Sequence, residues 1–297
     1  MLSDELQARI ALLNRGTPSR ERIVSPPQDR DLESLVPGEV AEDSGGCFYR
    51  IRRLAAEIQS TPCVNFAGPN LAHSVRRNVL DHELDCFAGA FPSRVLYLDL
   101  ETCGFSGAPL FLIGLLRLID GAWMVEQLLA RDYGEEPAVL RSLWACLPNY
   151  DVLVTFNGKT FDWPFVVDRT IAHRLPTLHT FDGRSESAPS SQRSSAQATR
   201  AGLPLCPPTH CDLLPLARRY WKDQLELPNC RLQTLEAALC QRYRGGDIPG
   251  HLIPEAYHAF VRSGDARQIE LILQHNAADL ITLAQLSLLL VEQLLAA

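Results

Sequence analysis

Residues 95–102, VLYLDLET, decide the reading of this chain. Two carboxylates, Asp99 and Glu101, interrupt an apolar run at alternate positions. Alternate residues of a strand share a face, so both acids point one way while Leu98 and Leu100 point the other. The run is too apolar for a comfortable exposed edge, which places the acids inside a sheet. Two such groups side by side repel, and a cation between them turns repulsion into chelation.

Two further segments carry acids beside apolar residues. In FNGKTFDWP (156–164), Asn157-Gly158 signals a turn directly after a strand, and Asp162 falls in the first turn of the following helix. That is the carboxyl end of a strand, where open sheets often carry function. In HNAADLITL (275–283), His275 and Asp279 are four apart and share a helix face. Each acid alone has a plainer explanation: a helix-dipole partner for Asp162, a surface polar pair for His275 and Asp279. Together they describe buried carboxylates suited to hard divalent cations, beside a histidine able to take a proton. Two such cations clamp the attacking and leaving oxygens of a phosphodiester, so the set points to metal-dependent cleavage of nucleic acid.

Outward from these motifs, apolar runs predict strands at Val95–Leu100, Pro109–Ile119, Ala122–Ala130 and Val152–Phe156, with Asp120-Gly121 as a hairpin turn. Helical spacing covers Pro137–Leu147, Phe161–Leu175, Asp212–Lys222, Leu232–Tyr243, Pro254–Ser263 and Asp265–Leu295. The order predicts an α/β fold, a mixed sheet with helices on its faces and a helical C-terminal part. Residues 1–60 read as an N-terminal appendage: a short amphipathic helix over 1–16, a linker, and a hairpin turning at Gly45-Gly46. Residues 61–297 read as the main domain, interrupted at 183–208 by a Ser, Arg, Ala, Gln and Pro tract expected to be disordered. Arg184, Arg193 and Arg200 give that tract a second reading as an RNA-contacting arm.

Bulk properties narrow the class. The chain has 297 residues, 46% of them hydrophobic, enough for a sizeable core. With 28 basic and 35 acidic residues the net charge is −7, which excludes nucleic-acid binding by overall charge but not a local basic rim. The nine cysteines contain no CxxC pair and read as reduced thiols. The N-terminal stretch lacks a secretory pattern and the apolar C-terminus reads as the end of a core helix, so a cytoplasmic protein that does not engage a membrane is expected.

DLET, FNGKTFDWP and HNAADL together resemble the DEDD exonucleases of the ribonuclease H-like superfamily, in particular the YprB-like branch. The similarity runs from about residue 93 to 290. The leading GEVAEDSGGCFYRIRRL resembles that branch's hairpin, and DIPGHLIPEAYHAFVRSGD its helical part. The resemblance implies a ribonuclease H-like sheet of five strands and two Mg²⁺ or Mn²⁺ ions. It implies 3′–5′ hydrolysis of RNA or DNA from its 3′ end. Asp99, Glu101, Asp162 and Asp279 become metal ligands, and His275 the general base. Three positions depart from the pattern. His275 stands where these enzymes usually carry tyrosine, Cys103 replaces a usual threonine, and the 183–208 insertion is long.

Substrate-contact candidates are Asn157, Lys159, Phe105, Arg218 and Arg219, the arginines as phosphate partners and Phe105 as a base-stacking ring. Asp212 reads as an N-cap. Two alternatives keep the fold: an inactive nucleic-acid-binding module and a structure-specific endonuclease.

Overall fold

The computed structural model describes residues 30–58 apart from Ser44, 81–175 apart from Ser106, and 207–296. The expected helix over 1–16 and the Ser/Arg tract, with Arg184, Arg193 and Arg200, lie outside the described residues. The strands are β1 (Glu39–Asp43), β2 (Gly46–Leu54), β3 (Val95–Thr102), β4 (Leu110–Ile119), β5 (Ala122–Leu129), β6 (Val152–Thr155) and β7 (Thr209–Asp212). The helices are α1 (Leu32–Leu35), α2 (Ala55–Ile58), α3 (His82–Ala90), α4 (Glu136–Cys146), α5 (Asp162–Ala172), α6 (Leu213–Tyr220), α7 (Leu232–Leu239), α8 (Ile253–Ser263) and α9 (Arg267–Ala296).

One sheet runs in the order β1-β2-β5-β4-β3-β6-β7. β3, β4 and β5 form antiparallel neighbours, while β6 pairs parallel to β3 and β7 parallel to β6. The α/β class and the mixed sheet match the expectation, but the count of five strands does not: the sheet has seven. The two extra strands are the leading hairpin. Phe48, Tyr49 and Ile51 of β2 are buried, and a hairpin alone could not hide them. β2 therefore pairs along β5, Tyr49 opposite Leu129 through Leu54 opposite Met124, and covers that sheet edge.

The β4–β5 turn forms where Asp120-Gly121 predicted it. Both residues have left-handed φ, 48° and 80°, the geometry a two-residue hairpin turn needs. On one side of the sheet Leu96, Leu98 and Leu100 join a core with Val139, Leu140 and Leu143 of α4. On the other, Val95 and Tyr97 pack with the long α9, and the Tyr97 hydroxyl meets Ser287 at 3.1 Å. Helix α9 is long and apolar enough to cross a membrane, but 61% of its most apolar window is buried inside the protein. Its apolar surface is thus used as core.

α5, which carries Asp162, is fixed by one buried carboxylate. Glu136 of α4 accepts the Leu110 backbone N–H at 2.9 Å and both Arg169 nitrogens, Nε and Nη2, at 2.6 Å. His173 Nε2 lies 2.8 Å from the same carboxylate. Trp144 Nε1 adds a bond to Thr170 Oγ1 at 2.8 Å. Removing a partner from a buried ion pair strands the other charge, so Glu136→Ala should lower unfolding free energy by about 3–5 kcal/mol. Urea denaturation measures it; a loss within that of ordinary surface substitutions would show that the knot does not fix α5.

Candidate active site

β3, β6 and β7 run parallel, so their carboxyl ends lie together. Asp99 and Glu101 stand near the end of β3, Asp162 follows β6, and Asp212 ends β7. α9 crosses this end and brings Asp279, His275 and Asn276.

Asp99 lies in a cross-strand tier with Gly114 of β4 and Gln127 of β5. Asn276 of α9 sits over the glycine. A Cβ at position 114 would stand 2.1 Å from Asn276 Oδ1, so only glycine leaves room. Asn276 Nδ2 donates to Asp99 Oδ2 at 2.7 Å, and Gln127 Nε2 donates to Asn276 Oδ1 at 2.9 Å. Arg53 Nη2 on the leading hairpin donates to Gln127 Oε1 at 3.0 Å. Each donor in this relay points toward Asp99, from a guanidinium at one end to a carboxylate at the other.

Asp162 is positioned by the loop before α5. Asp212 holds that loop: its carboxylate accepts the backbone N–H of Asn157 at 2.7 Å and of Lys159 at 3.1 Å. It also accepts Leu214 N–H at 3.1 Å, the N-cap of α6. Asn157 takes φ 67°, a left-handed value that asparagine tolerates, and its Oδ1 accepts the Thr160 hydroxyl at 2.7 Å.

Asp279 meets a cation already present in the chain. Arg244 Nη2 stands 2.5 Å from its Oδ1. His275 lies between two carboxylates, with Nδ1 2.7 Å from Asp247 Oδ1 and Nε2 3.5 Å from Asp279 Oδ2.

The four carboxylates sense one another. Burial raises Asp99 well above the ordinary carboxylate range, and Asp279, Glu101 and Asp162 push it further. Burial likewise raises Glu101, with Asp279, Asp162 and Asp247 adding to it. Asp162 is pushed up to about 7 by burial, with the Asp212 carboxylate adding to it and its own and the Leu100 backbone amides opposing. Burial raises Asp279 too, and Arg244 and His275 pull it back. This donor set, all oxygen and mutually repelling, fits hard divalent cations in kind. Among the described residues no three His, Cys, Asp or Glu side chains stand in ready ligand geometry. Asp99 and Asp279 are turned to Asn276 and Arg244 instead.

The remaining candidates are spread around this centre. Phe105, just beyond β3, is 89% exposed, as a stacking ring requires. Lys159 Nζ pairs with Glu83, and Arg219 Nη1 with Asp81 at 3.0 Å; Arg218 is exposed. Sequence reasoning missed Asn276, Gln127, Gly114, Arg244 and Asp247. Asn276 sits inside the HNAAD motif and Asp247 in the RGGDIPG loop, but no spacing or propensity singles out either residue.

A family model agrees with this architecture. The RNase_H_2 model of the RNase H superfamily matches residues 96–291. The uncharacterized protein YprB of Bacillus subtilis (strain 168) is 31% identical over 214 residues, which cover 70% of this chain and 44% of that protein. The chain thus spans less than half the length of this relative. A family B DNA polymerase from the hyperthermophilic archaeon Pyrobaculum calidifontis superposes with a TM-score of 0.46 at 18% identity, over 69% of this chain and 27% of the polymerase chain.

Gly114→Ala should force Asn276 out of its place and cost about 1–3 kcal/mol by overpacking. Denaturant unfolding measures the loss, and an unchanged midpoint would mean that Asn276 yields freely. The Asp162 carboxyl binds its proton more tightly when folded, about 7 against an ordinary 3.8. Its protonation therefore stabilises the fold fully below about pH 4, and this stabilisation is lost as pH rises through about 7. The melting temperature of chelator-stripped protein should fall across that window. Asp162→Asn should flatten part of the slope, and an equal slope in both proteins would contradict the assignment.

Proposed function

This chain belongs to the RNase H superfamily, and on that footing we propose that it is a metal-dependent 3′–5′ exonuclease acting on RNA or DNA. The observation that carries the reading is the convergence of Asp99, Glu101, Asp162 and Asp279, from three separate chain segments, at the carboxyl ends of parallel strands. Buried carboxylates with raised proton affinity are costly unless they have a task, and neighbouring acids so placed are the usual mark of one.

In this reading the four acids hold two Mg²⁺ or Mn²⁺ ions. Bound there, the ions neutralise the carboxylates and stabilise charge on the attacking and leaving oxygens of the phosphodiester. The chain supplies the rest. Asn276 fixes the Asp99 carboxylate through a 2.7 Å bond, so this acid meets its partners in one orientation. Asp247 holds the Nδ1 side of His275, which leaves Nε2 on the Asp279 side as the nitrogen that takes a proton from water. Phe105 stacks a base near the 3′ end. Arg218, Arg219, Lys159 and the Asn157 turn contact the backbone. Lys159 and Arg219 do so by leaving Glu83 and Asp81.

The test is a panel of end-labelled linear and circular RNA and DNA, single- and double-stranded, with Mg²⁺ or Mn²⁺. Stepwise loss of nucleotides from 3′ ends is expected, with circles spared; EDTA should stop the reaction and added metal restore it. Asp99→Asn should abolish hydrolysis while the protein stays folded by circular dichroism. Full activity in that variant removes the metal-ligand assignment. His275→Ala should lower kcat by roughly a hundredfold with substrate affinity little changed; a loss confined to affinity removes the base assignment.

A further inference from the structure

The end of the sheet that carries the acids also carries aromatic rings that the fold leaves uncovered. β3 and β5 run in the same direction with β4 antiparallel between them, so the segments that follow both strands emerge at one end. Phe105 follows β3 and Tyr133 follows β5. Two strand spacings lie between β3 and β5, about 10 Å. Phe105 is 89% exposed and Tyr133 42%.

Neither ring hangs on a loose loop. The Phe105 carbonyl accepts the Ala108 N–H at 3.0 Å, and Arg169 Nη1 donates to the Gly107 carbonyl at 3.1 Å. Tyr133 stands near the tip of a tight turn. The Asp132 carbonyl accepts the Glu135 N–H at 3.2 Å, and Asp132 Oδ1 accepts the Gly134 N–H at 2.8 Å. The Tyr133 hydroxyl lies 2.6 Å from His258 Nδ1, and its ring meets Tyr257 edge-on with centroids 5.8 Å apart. Tyr257 stacks on Phe111 at 3.9 Å and donates its hydroxyl to the Ala130 carbonyl at 3.0 Å, which fastens α8 to this end of the sheet.

Arg262 stands one turn beyond His258 on the same face of α8 and is exposed. Among the described residues no carboxylate pairs with it. It lies close enough to Tyr133 to pull down a proton affinity that burial and the Cys103 thiol raise. The rings therefore stand apart with a cation beside them, rather than as one contiguous apolar patch. That arrangement matches a single strand of nucleic acid, whose bases stack on aromatic faces while its phosphates meet cations.

We infer that Tyr133, His258 and Arg262 extend the site beyond Phe105 into a track for the nucleotides upstream of the reacting 3′ end. The inference rests on the proposed reading of the acids as the place where that end reacts. With the terminal nucleotide at the acids, the strand leaves over Phe105 and crosses the end of β4 to Tyr133. Tyr133 stacks a base, Arg262 takes a phosphate, and His258 is a positioning residue that holds the Tyr133 ring. Bases paired in a duplex are stacked on one another and cannot use these rings.

The experiment measures binding of a fluorescein-labelled single-stranded oligonucleotide to the full chain in EDTA, by anisotropy. Tyr133→Ala should weaken binding about tenfold. Tyr133→Phe, which keeps the ring, should bind nearly as wild type does. Arg262→Gln should lower the slope of log affinity against log salt by about 1. No binding by wild type, equal binding by Tyr133→Ala, or an unchanged slope in Arg262→Gln would overturn the inference. Turnover with Mg²⁺ separates this inference from the reading beneath it. Tyr133→Ala should raise KM more than it lowers kcat, and the deficit should widen as the single-stranded tail lengthens. Trimming of 3′ ends with one KM for all proteins removes the track and leaves the exonuclease. Weakened binding in the variants, without metal-dependent hydrolysis by wild type, leaves the track and removes the exonuclease. Photocrosslinking of wild type covers the case in which the variants do not fold. An iodouracil placed a few nucleotides upstream of the 3′ end should attach to peptides carrying Tyr133 or His258, and attachment only elsewhere, or none, sinks the idea.

Discussion

Four carboxylates gathered in one buried place repel one another, and much of the structure is arranged around that repulsion. Three of the four acids have a remedy, each of a different kind. Asp99 takes a neutral amide, Asp162 takes backbone N–H groups, and Asp279 takes an arginine and a histidine. Glu101 has the least help, with only like charges pressing on it besides burial. The remedies are partial, and all four acids keep raised proton affinity. All-oxygen donors left in that condition suit hard divalent cations in kind.

The scaffold holds these acids by devices placed one layer out. Glu136 fixes α5, Asp212 fixes the loop that leads into it, and Gly114 opens the sheet so that α9 can reach Asp99. Two of these devices are carboxylates that accept backbone N–H groups. Acids therefore serve here both as the chemistry and as its frame. Composition cannot tell the two uses apart; partners separate them better, since Glu136 and Asp212 each accept three donor groups while burial keeps the proton affinity of the four site acids raised.

The strands between Val95 and Thr155 and the helices after Glu136 were legible from their apolar patterns. Alternation in VLYLDLET put Asp99 and Glu101 on one face, and Asp120-Gly121 marked its turn. The placement of Asp162 at a strand end and of Asp212 as a cap could be read from local chemistry alone. The five-strand count failed because nothing local says that a hairpin far upstream will seek the edge of β5; the buried Phe48, Tyr49 and Ile51 decide it through packing. Asn276 and Gln127 were invisible for a related reason. An amide in a helix or a strand has no periodic signature, and its partner lies 149 residues away. Arg244 and Asp247 sit in a glycine-rich coil, where neither spacing nor propensity carries information.

The chain of amides that ends on Asp99 begins at Arg53, far outside the stretch that carries the acids. A fragment trimmed to the recognisable motifs would keep every acid and lose the outermost donor that steadies one of them. The working unit is therefore larger than its signature. Shuffling or grafting such a module by its motif boundaries would transplant the reagents and leave behind part of the instrument that aims them.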